Sequence, residues 1–309
     1  MNLLSHSEKL LSLEDRIVSG YLTMPIHNNK GFKIAIDING YTCVLINEIL
    51  FEEIEWTKSN YKLENLELEF NVDCNIRDVE SASETSGKFT IIKLINANQR
   101  MREYFLRIME GVILKISSSP KIATLSTEID YLVDLFARKT KVTEAVLLGL
   151  WGELFYIKQS SNLEEALVAW HSEINKTFDF SFKDGFVEVK TTTKPSRIHT
   201  FNNNQLIDFK ELTVGVISIL TEKSYHGKSI QNLWDDISKH ISNIDLKTKL
   251  SHIIAMTIGD NVDEMEEARF NDKLAASTLK LFSSNNVPHI ELDHIDDRVI
   301  SVKIDVDLS

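Results

Sequence analysis

The residues best suited to chemistry lie in one short segment, Phe178-Asp179-Phe180-Ser181-Phe182-Lys183-Asp184-Gly185-Phe186-Val187-Glu188-Val189-Lys190. The Asp184-Gly185 pair predicts a tight hairpin turn. With those two residues as the loop, Lys183 faces Phe186, Phe182 faces Val187, Ser181 faces Glu188 and Asp179 faces Lys190. Phe178, Phe180, Phe182, Val187 and Val189 then share one face; Asp179, Ser181, Glu188 and Lys190 share the other. The apolar face can pack against helices and fix the register, because a one-residue slip would bury the charges. Two carboxylates on diagonal neighbours can share a divalent cation that wants oxygen ligands. Such a cation acts as a Lewis acid and lowers the pKa of its bound water, and a nearby ammonium can stabilise developing negative charge. That is the chemistry phosphodiester hydrolysis requires. The competing reading of the hairpin alone is a solvated strand face with Lys190 as its surface partner.

Several residues outside the hairpin extend the pattern. Glu153 lies in Gly149-Leu150-Trp151-Gly152-Glu153-Leu154, on a predicted helix whose glycines allow close approach to a sheet. Trp170 precedes the hairpin in Ala-Trp-His and reads as a core anchor. Arg197, His199 and Gln205 follow in Arg-Ile-His-Thr-Phe-Asn-Asn-Asn-Gln-Leu. An arginine there can fork onto phosphate or cap a turn after Pro195, and Gln205 reads as a helix start in contact with backbone or substrate.

With Asp179 early in a hairpin and Glu188-Val189-Lys190 on its second strand, the segment resembles the PD-(D/E)XK superfamily of metal-dependent nucleases. Phe178 stands where that signature has proline, a departure that alters no ligand. The wider run of Gly-Glu, Trp, Asp-Phe, Glu-Val-Lys-Thr-Thr, Arg-x-His and Gln-Leu is similar to one branch, the PD-(D/E)XK motif proteins of bacterial anti-phage defence gene clusters. These motifs cover about Glu144 to Leu206. The resemblance implies a restriction-endonuclease-like core with a mixed central sheet flanked by helices. It also implies a Mg²⁺-dependent DNA endonuclease, with Mn²⁺ able to substitute, working in a restriction or defence system. Its implied catalytic residues are Asp179, Glu188, Lys190 and Glu153, with Asp179, Glu188 and Glu153 on the metal. Arg197, His199 and Gln205 are expected on substrate. Implied partners are DNA, proteins of a defence cluster and a second copy of the chain. The alternatives are a catalytically silent nuclease-fold adaptor that binds DNA or protein, and an enzyme acting on RNA or a nucleotide.

Composition narrows the class. The chain has 309 residues, 43% of them hydrophobic and 26% charged, with four prolines, which excludes collagen-like, disordered and disulfide-scaffold proteins. Its two cysteines, Cys43 and Cys74, form no CxxC pair and read as reduced core residues of a cytosolic protein. The N-terminus MNLLSHSEKLLSLEDR lacks signal-peptide character, and the apolar run Val214 to Leu220 is too short to span a bilayer, so no membrane association is expected. A net charge of −12 opposes diffuse binding to DNA. The charge is uneven: six basic against two acidic residues from Lys88 to Lys115, and five against three from Asn175 to Thr200. Gly227-Lys228-Ser229 ends like a P-loop, but Glu222 replaces its first glycine, so Ser229 is expected to cap a helix instead.

The elements that must position these residues follow from periodicity. Ser117-Ser118-Ser119-Pro120 reads as a linker between a β-rich domain with one long helix (1–119) and the nuclease domain (120–309). The first half predicts strands at Phe32–Ile38, Tyr41–Ile46, Leu66–Val72 and Lys88–Ile95, an Asn39-Gly40 hairpin, and a helix from about Ala97 to Leu114. The second half predicts helices near Glu128–Arg138, Glu144–Lys158, Ile230–Ile241 and Met265–Phe282. Its strands are expected near Asp179–Phe182, Phe186–Thr191, Thr213–Leu220, Ser251–Ile258, His289–Leu292 and Ile300–Val306. Alternating helices and strands of this kind give an α/β fold, α+β over the whole chain.

Overall fold

The computed structural model describes residues 3–13, 17, 19–26, 29, 31–51, 58–137, 141–172, 177–206, 212–291, 296 and 298–309. It is a mixed α/β structure that divides into two compact units, residues 1–141 with 251–262, and residues 142–250 with 263–309.

The first unit is built on strands β1 (Tyr21–Pro25), β2 (Phe32–Asp37), β3 (Thr42–Asn47), β4 (Tyr61–Lys62), β5 (Leu66–Asp78) and β6 (Glu84–Leu94). Their order is β1-β2-β3-β6-β5-β4, and a parallel β1–β5 pairing closes five of them into a barrel. Alternating side chains fill it with Ala35, Cys43, Leu45, Cys74, Ile76, Phe89 and Ile91. Both cysteines are free and buried, as their surroundings in the sequence predict. The expected β2–β3 hairpin forms, but only Gly40 takes a positive φ, +74°; Asp37 closes the turn by accepting from the Asn39 and Tyr41 amides. Helices α1 (Leu3–Leu11), α2 (Gln99–Ser118, capped by Asn98) and α3 (Ile122–Ala137) complete the unit with residues 251–262. The serines before Pro120 are therefore not an open linker: Ser117 and Ser118 close α2, Ser119 caps it, and Pro120 separates it from α3. The units divide at 141/142 rather than 119/120, since α3 groups with the barrel.

The second unit places α4 (Glu144–Gln159) and α5 (Leu163–Ala169) before the hairpin β7 (Phe180–Phe182) and β8 (Gly185–Thr192). Strand β9 (Ile198–Asn202), strand β10 (Thr213–Leu220), strand β11 (Lys223–Ser229) and helix α6 (Ile230–His240) follow. Ser229 caps α6 in a reciprocal capping box with Asn232. Helix α7 covers Ile244–Ile258, where a strand was expected from Ser251 onward. Its β-branched residues disguise a helical spacing: Leu250, Ile254 and Ile258 are buried at every fourth position, and the Thr248 and Thr257 hydroxyls donate to carbonyls four residues back.

The chain ends with α8 (Val262–Glu267), β12 (Arg269–Phe270), α9 (Asp272–Thr278), β13 (Lys280–Ser283) and β14 (Lys303–Asp307). The single helix expected over Met265–Phe282 is thus broken, because Asn271 caps a new helix that begins at Asp272, its side chain accepting the Leu274 N–H, and β13 leaves to pair with β10. Residues 289–291 of the expected strand His289–Leu292 are not extended-paired, and Leu292 lies outside the described residues.

The central sheet has the order β13-β10-β8-β7, parallel between β8 and β10 and antiparallel elsewhere. Gly185 serves close approach: a Cβ there would lie 2.6 Å from the Thr213 carbonyl oxygen. One face of β8 packs against α4. Gly152 permits this, since a Cβ there would sit 1.8 Å from Thr191 Oγ1, whereas Gly149 faces open space. Toward the other face lies the β9–β14 ribbon, whose Phe201 and Val306 form a core with Leu206, Val216, Val287 and Leu308.

Candidate active site

The hairpin register differs from the expected one by two residues: Phe180 opposes Val187, Ser181 opposes Phe186 and Phe182 opposes Gly185, so Lys183-Asp184 makes the turn. A shift of two preserves the facing of the paired side chains, and Asp179, Glu188 and Lys190 still act on one another. Pairing stops at Phe180, and the Asp179 carboxylate continues the ladder by accepting the Val189 N–H at 2.8 Å through Oδ2. Phe178 leaves the expected apolar face and stacks on Phe186, at 4.8 Å between ring centroids.

Glu188 is 2% exposed. Its Oε1 receives the Lys190 ammonium at 2.7 Å and the Gln205 amide at 2.6 Å, while Oε2 is buried without a hydrogen-bond partner. Lys190 lies 5.3 Å from the centre of the Phe201 ring. From α4, Glu153 Oε2 accepts the fully buried Trp170 indole N–H at 2.7 Å and meets His171 Nε2 at 2.8 Å. Trp170 is the core anchor its sequence predicts, and it also holds the Glu153 carboxylate. His171 was not singled out in the sequence. Its φ is +42°, and its amide donates to the Asp179 carbonyl at 2.8 Å, which draws the imidazole alongside the two carboxylates. Only its position beside Trp170 could have marked it.

Burial, then the negative charges of Glu153 and Glu188, holds the Asp179 carboxyl well above the usual carboxylate range. Glu188 is raised as well, chiefly by burial, with the Lys190 ammonium opposing the shift. Three carboxylates facing one ammonium leave two negative charges to be balanced by protons or by a divalent cation. A buried carboxylate oxygen without a partner costs about 1–3 kcal/mol, a cost that a coordinated cation would remove. The donor set therefore fits a hard divalent ion.

The expected substrate residues divide differently. Gln205 is spent on Glu188, on the Thr177 carbonyl and, through Oε1, on the Asn202 amide, so it braces the site. Arg197 is 5% exposed and donates to Ser218 O and Oγ, each at 2.9 Å, and to the Thr278 carbonyl. A buried guanidinium needs such acceptors, and here it ties β9 to β10 rather than offering a fork to phosphate. His199 Nε2 lies 2.7 Å from Ser218 Oγ; burial first, then Lys190 and Arg197, depress its pKa to about 4. The P-loop-like segment is spent too, since Gly227 packs against the Phe270 backbone.

No solved structure matches the chain. A family described as "Putative PD-(D/E)XK family member (DUF4420)" matches residues 5–309, nearly the whole chain, and the protein belongs to that family.

Proposed function

We propose that the second unit hydrolyses phosphodiester bonds in DNA as a metal-dependent endonuclease. The observation that carries this reading is the grouping of Asp179, Glu188, Glu153 and Lys190, whose charges act on one another, together with a buried Glu188 carboxylate oxygen left without a hydrogen-bond partner. Asp179, Glu188 and Glu153 would hold Mg²⁺, with Mn²⁺ as a substitute. When bound, the cation supplies Lewis-acid charge and a more acidic water. Lys190 gives one N–H to Glu188, and the Phe201 ring and Glu188 fix the position of its ammonium. Its remaining donors can orient the attacking water and stabilise charge developing on the phosphate. Gln205 keeps Glu188 in place, and Trp170 keeps Glu153 in place.

The first unit would engage substrate or a partner. Helix α2 carries Arg100, Arg102 and Arg107, of which Arg100 is exposed and the other two half-buried. A metal site that contacts phosphate reads no sequence by itself, so recognition must come from elsewhere. The net charge of −12 supports a need for partners, and the resemblance to defence-cluster proteins supports a cytosolic role beside proteins of such a cluster, or in a self-assembled complex. No helix among the described residues is long and apolar enough to cross a membrane. Incubating the purified chain with supercoiled plasmid, phage DNA and structured RNA, each with and without Mg²⁺, tests the reading. Nicking or linearisation of DNA only with the cation is expected. Cleavage of RNA alone, or none with any partner present, would overturn it.

A further inference from the structure

We infer that His171 is a nitrogen ligand of the cation in this site and biases the site toward Mn²⁺ over Mg²⁺. This rests on the hydrolytic reading above and adds to it a ligand that the hairpin motif does not contain.

The geometry carries the inference. His171 Nε2, a Glu153 carboxylate oxygen and an Asp179 carboxylate oxygen all lie within 4.8 Å of one another. In an octahedral shell with bonds of about 2.1 Å, adjacent ligand atoms are separated by ~3.0 Å and opposite ones by ~4.2 Å. The 2.8 Å between His171 Nε2 and Glu153 Oε2 is close to the adjacent spacing, and closure by at most ~0.6 Å brings the other separations within the opposite one. The imidazole is held in place on the backbone side: His171 adopts a left-handed φ of +42°, donates its amide to the Asp179 carbonyl and follows the fully buried Trp170 in the chain. Its ring is 43% exposed, so the nitrogen can be reached by an exchangeable ion. Glu188, whose charge acts on Asp179, has a buried Oε2 without a hydrogen-bond partner, a separate sign that this acidic site is short of positive groups.

The chemistry sets the direction of the preference. Mg²⁺ takes oxygen ligands and keeps its waters, whereas Mn²⁺ accepts an imidazole nitrogen alongside carboxylates. A site of two or three carboxylates without His171 would have little reason to discriminate. The competing role for His171 is a hydrogen bond to Glu153 with no contact to the ion.

The test uses the full chain loaded with Mn²⁺. Pulsed electron paramagnetic resonance reads nitrogen coupling to the bound ion, and calorimetry gives the Mn²⁺ and Mg²⁺ affinities. Wild type, His171→Asn and Asp179→Ala are compared; asparagine tolerates the left-handed backbone at position 171. The expected result is a nitrogen coupling in wild type that disappears in His171→Asn. Mn²⁺ affinity should fall ~10-fold or more in that variant, with Mg²⁺ affinity changing much less. Mn²⁺ bound to wild type without nitrogen coupling overturns the inference, whether or not the variant folds. If Asp179→Ala abolishes binding while His171→Asn leaves both affinities and their ratio unchanged, the hydrolytic site stands and the role of His171 falls. If wild type binds neither ion, both fall.

Discussion

Replacing Gly152 by alanine would put a methyl group 1.8 Å from Thr191 Oγ1 and 2.9 Å from Thr191 Cβ. An ordinary contact needs more than 3 Å, so α4 must lift away from β8 or Thr191 must swing aside. Overpacking of this kind costs about 1–3 kcal/mol. Alanine also gains about 1 kcal/mol of helix propensity over glycine, which offsets part of the strain. A net loss of up to about 2 kcal/mol is expected. Gly149→Ala is the control on the same helix, because nothing lies within 4 Å of its added Cβ; it should gain up to about 1 kcal/mol. Three of the four tryptophans, Trp151, Trp170 and Trp234, are fully buried in the second unit, so tryptophan fluorescence during urea unfolding reports mainly on that unit. Thr191 Oγ1 has no hydrogen-bond partner, so Thr191→Ala should restore part of the stability lost in Gly152→Ala. Glu153 is the next residue along α4, and its displacement should weaken cation binding alongside stability. A Gly152→Ala protein as stable as Gly149→Ala, with unchanged cation affinity, would refute the close helix–sheet packing on which this reasoning depends.

His199 and His252 both have pKa values depressed to about 4, chiefly by burial, with Lys190 and Arg197 adding to the effect on His199 and Lys115 on His252. Between pH 6.5 and 4 the unfolded chain binds protons that the folded one does not, so stability falls as pH drops through that window. The loss is up to about 3 kcal/mol per histidine. Imidazole NMR signals that titrate near 6.5 in the folded protein would contradict this. Arg197→Met should cost roughly 2–4 kcal/mol, because the Ser218 and Thr278 carbonyls lose their donor, and it should leave cation affinity intact. A variant of unchanged stability but weakened DNA binding would restore the phosphate role expected from its sequence.

The hairpin was legible because face assignment depends on parity. The turn was misplaced by one residue and the pairing by two, yet Asp179, Glu188 and Lys190 kept their common side. Helices α4 and α6 were legible from periodicity, and α6 also from its Ser229 cap, whereas α7 was hidden by β-branched residues whose helical spacing only packing reveals. Arg197, His199 and Gln205 were legible as polar residues near the site but not in their roles. Whether a buried donor meets substrate or a carbonyl depends on β10 and β13, far along the chain. His171 was illegible for a related reason: its left-handed backbone and its closeness to Glu153 arise from tertiary contacts that no local spacing encodes.

The central claim is that this site hydrolyses phosphodiesters with Lys190 acting on the reacting groups and the carboxylates holding the cation. The most direct test measures Mg²⁺ affinity and plasmid cleavage together for wild type and Lys190→Ala. Removing the ammonium leaves Asp179, Glu188 and Glu153 in place, so Mg²⁺ should bind as tightly as before or more tightly, while cleavage falls by at least ~100-fold. Cleavage by Lys190→Ala at the wild-type rate, with the protein folded and Mg²⁺ bound, would contradict the account.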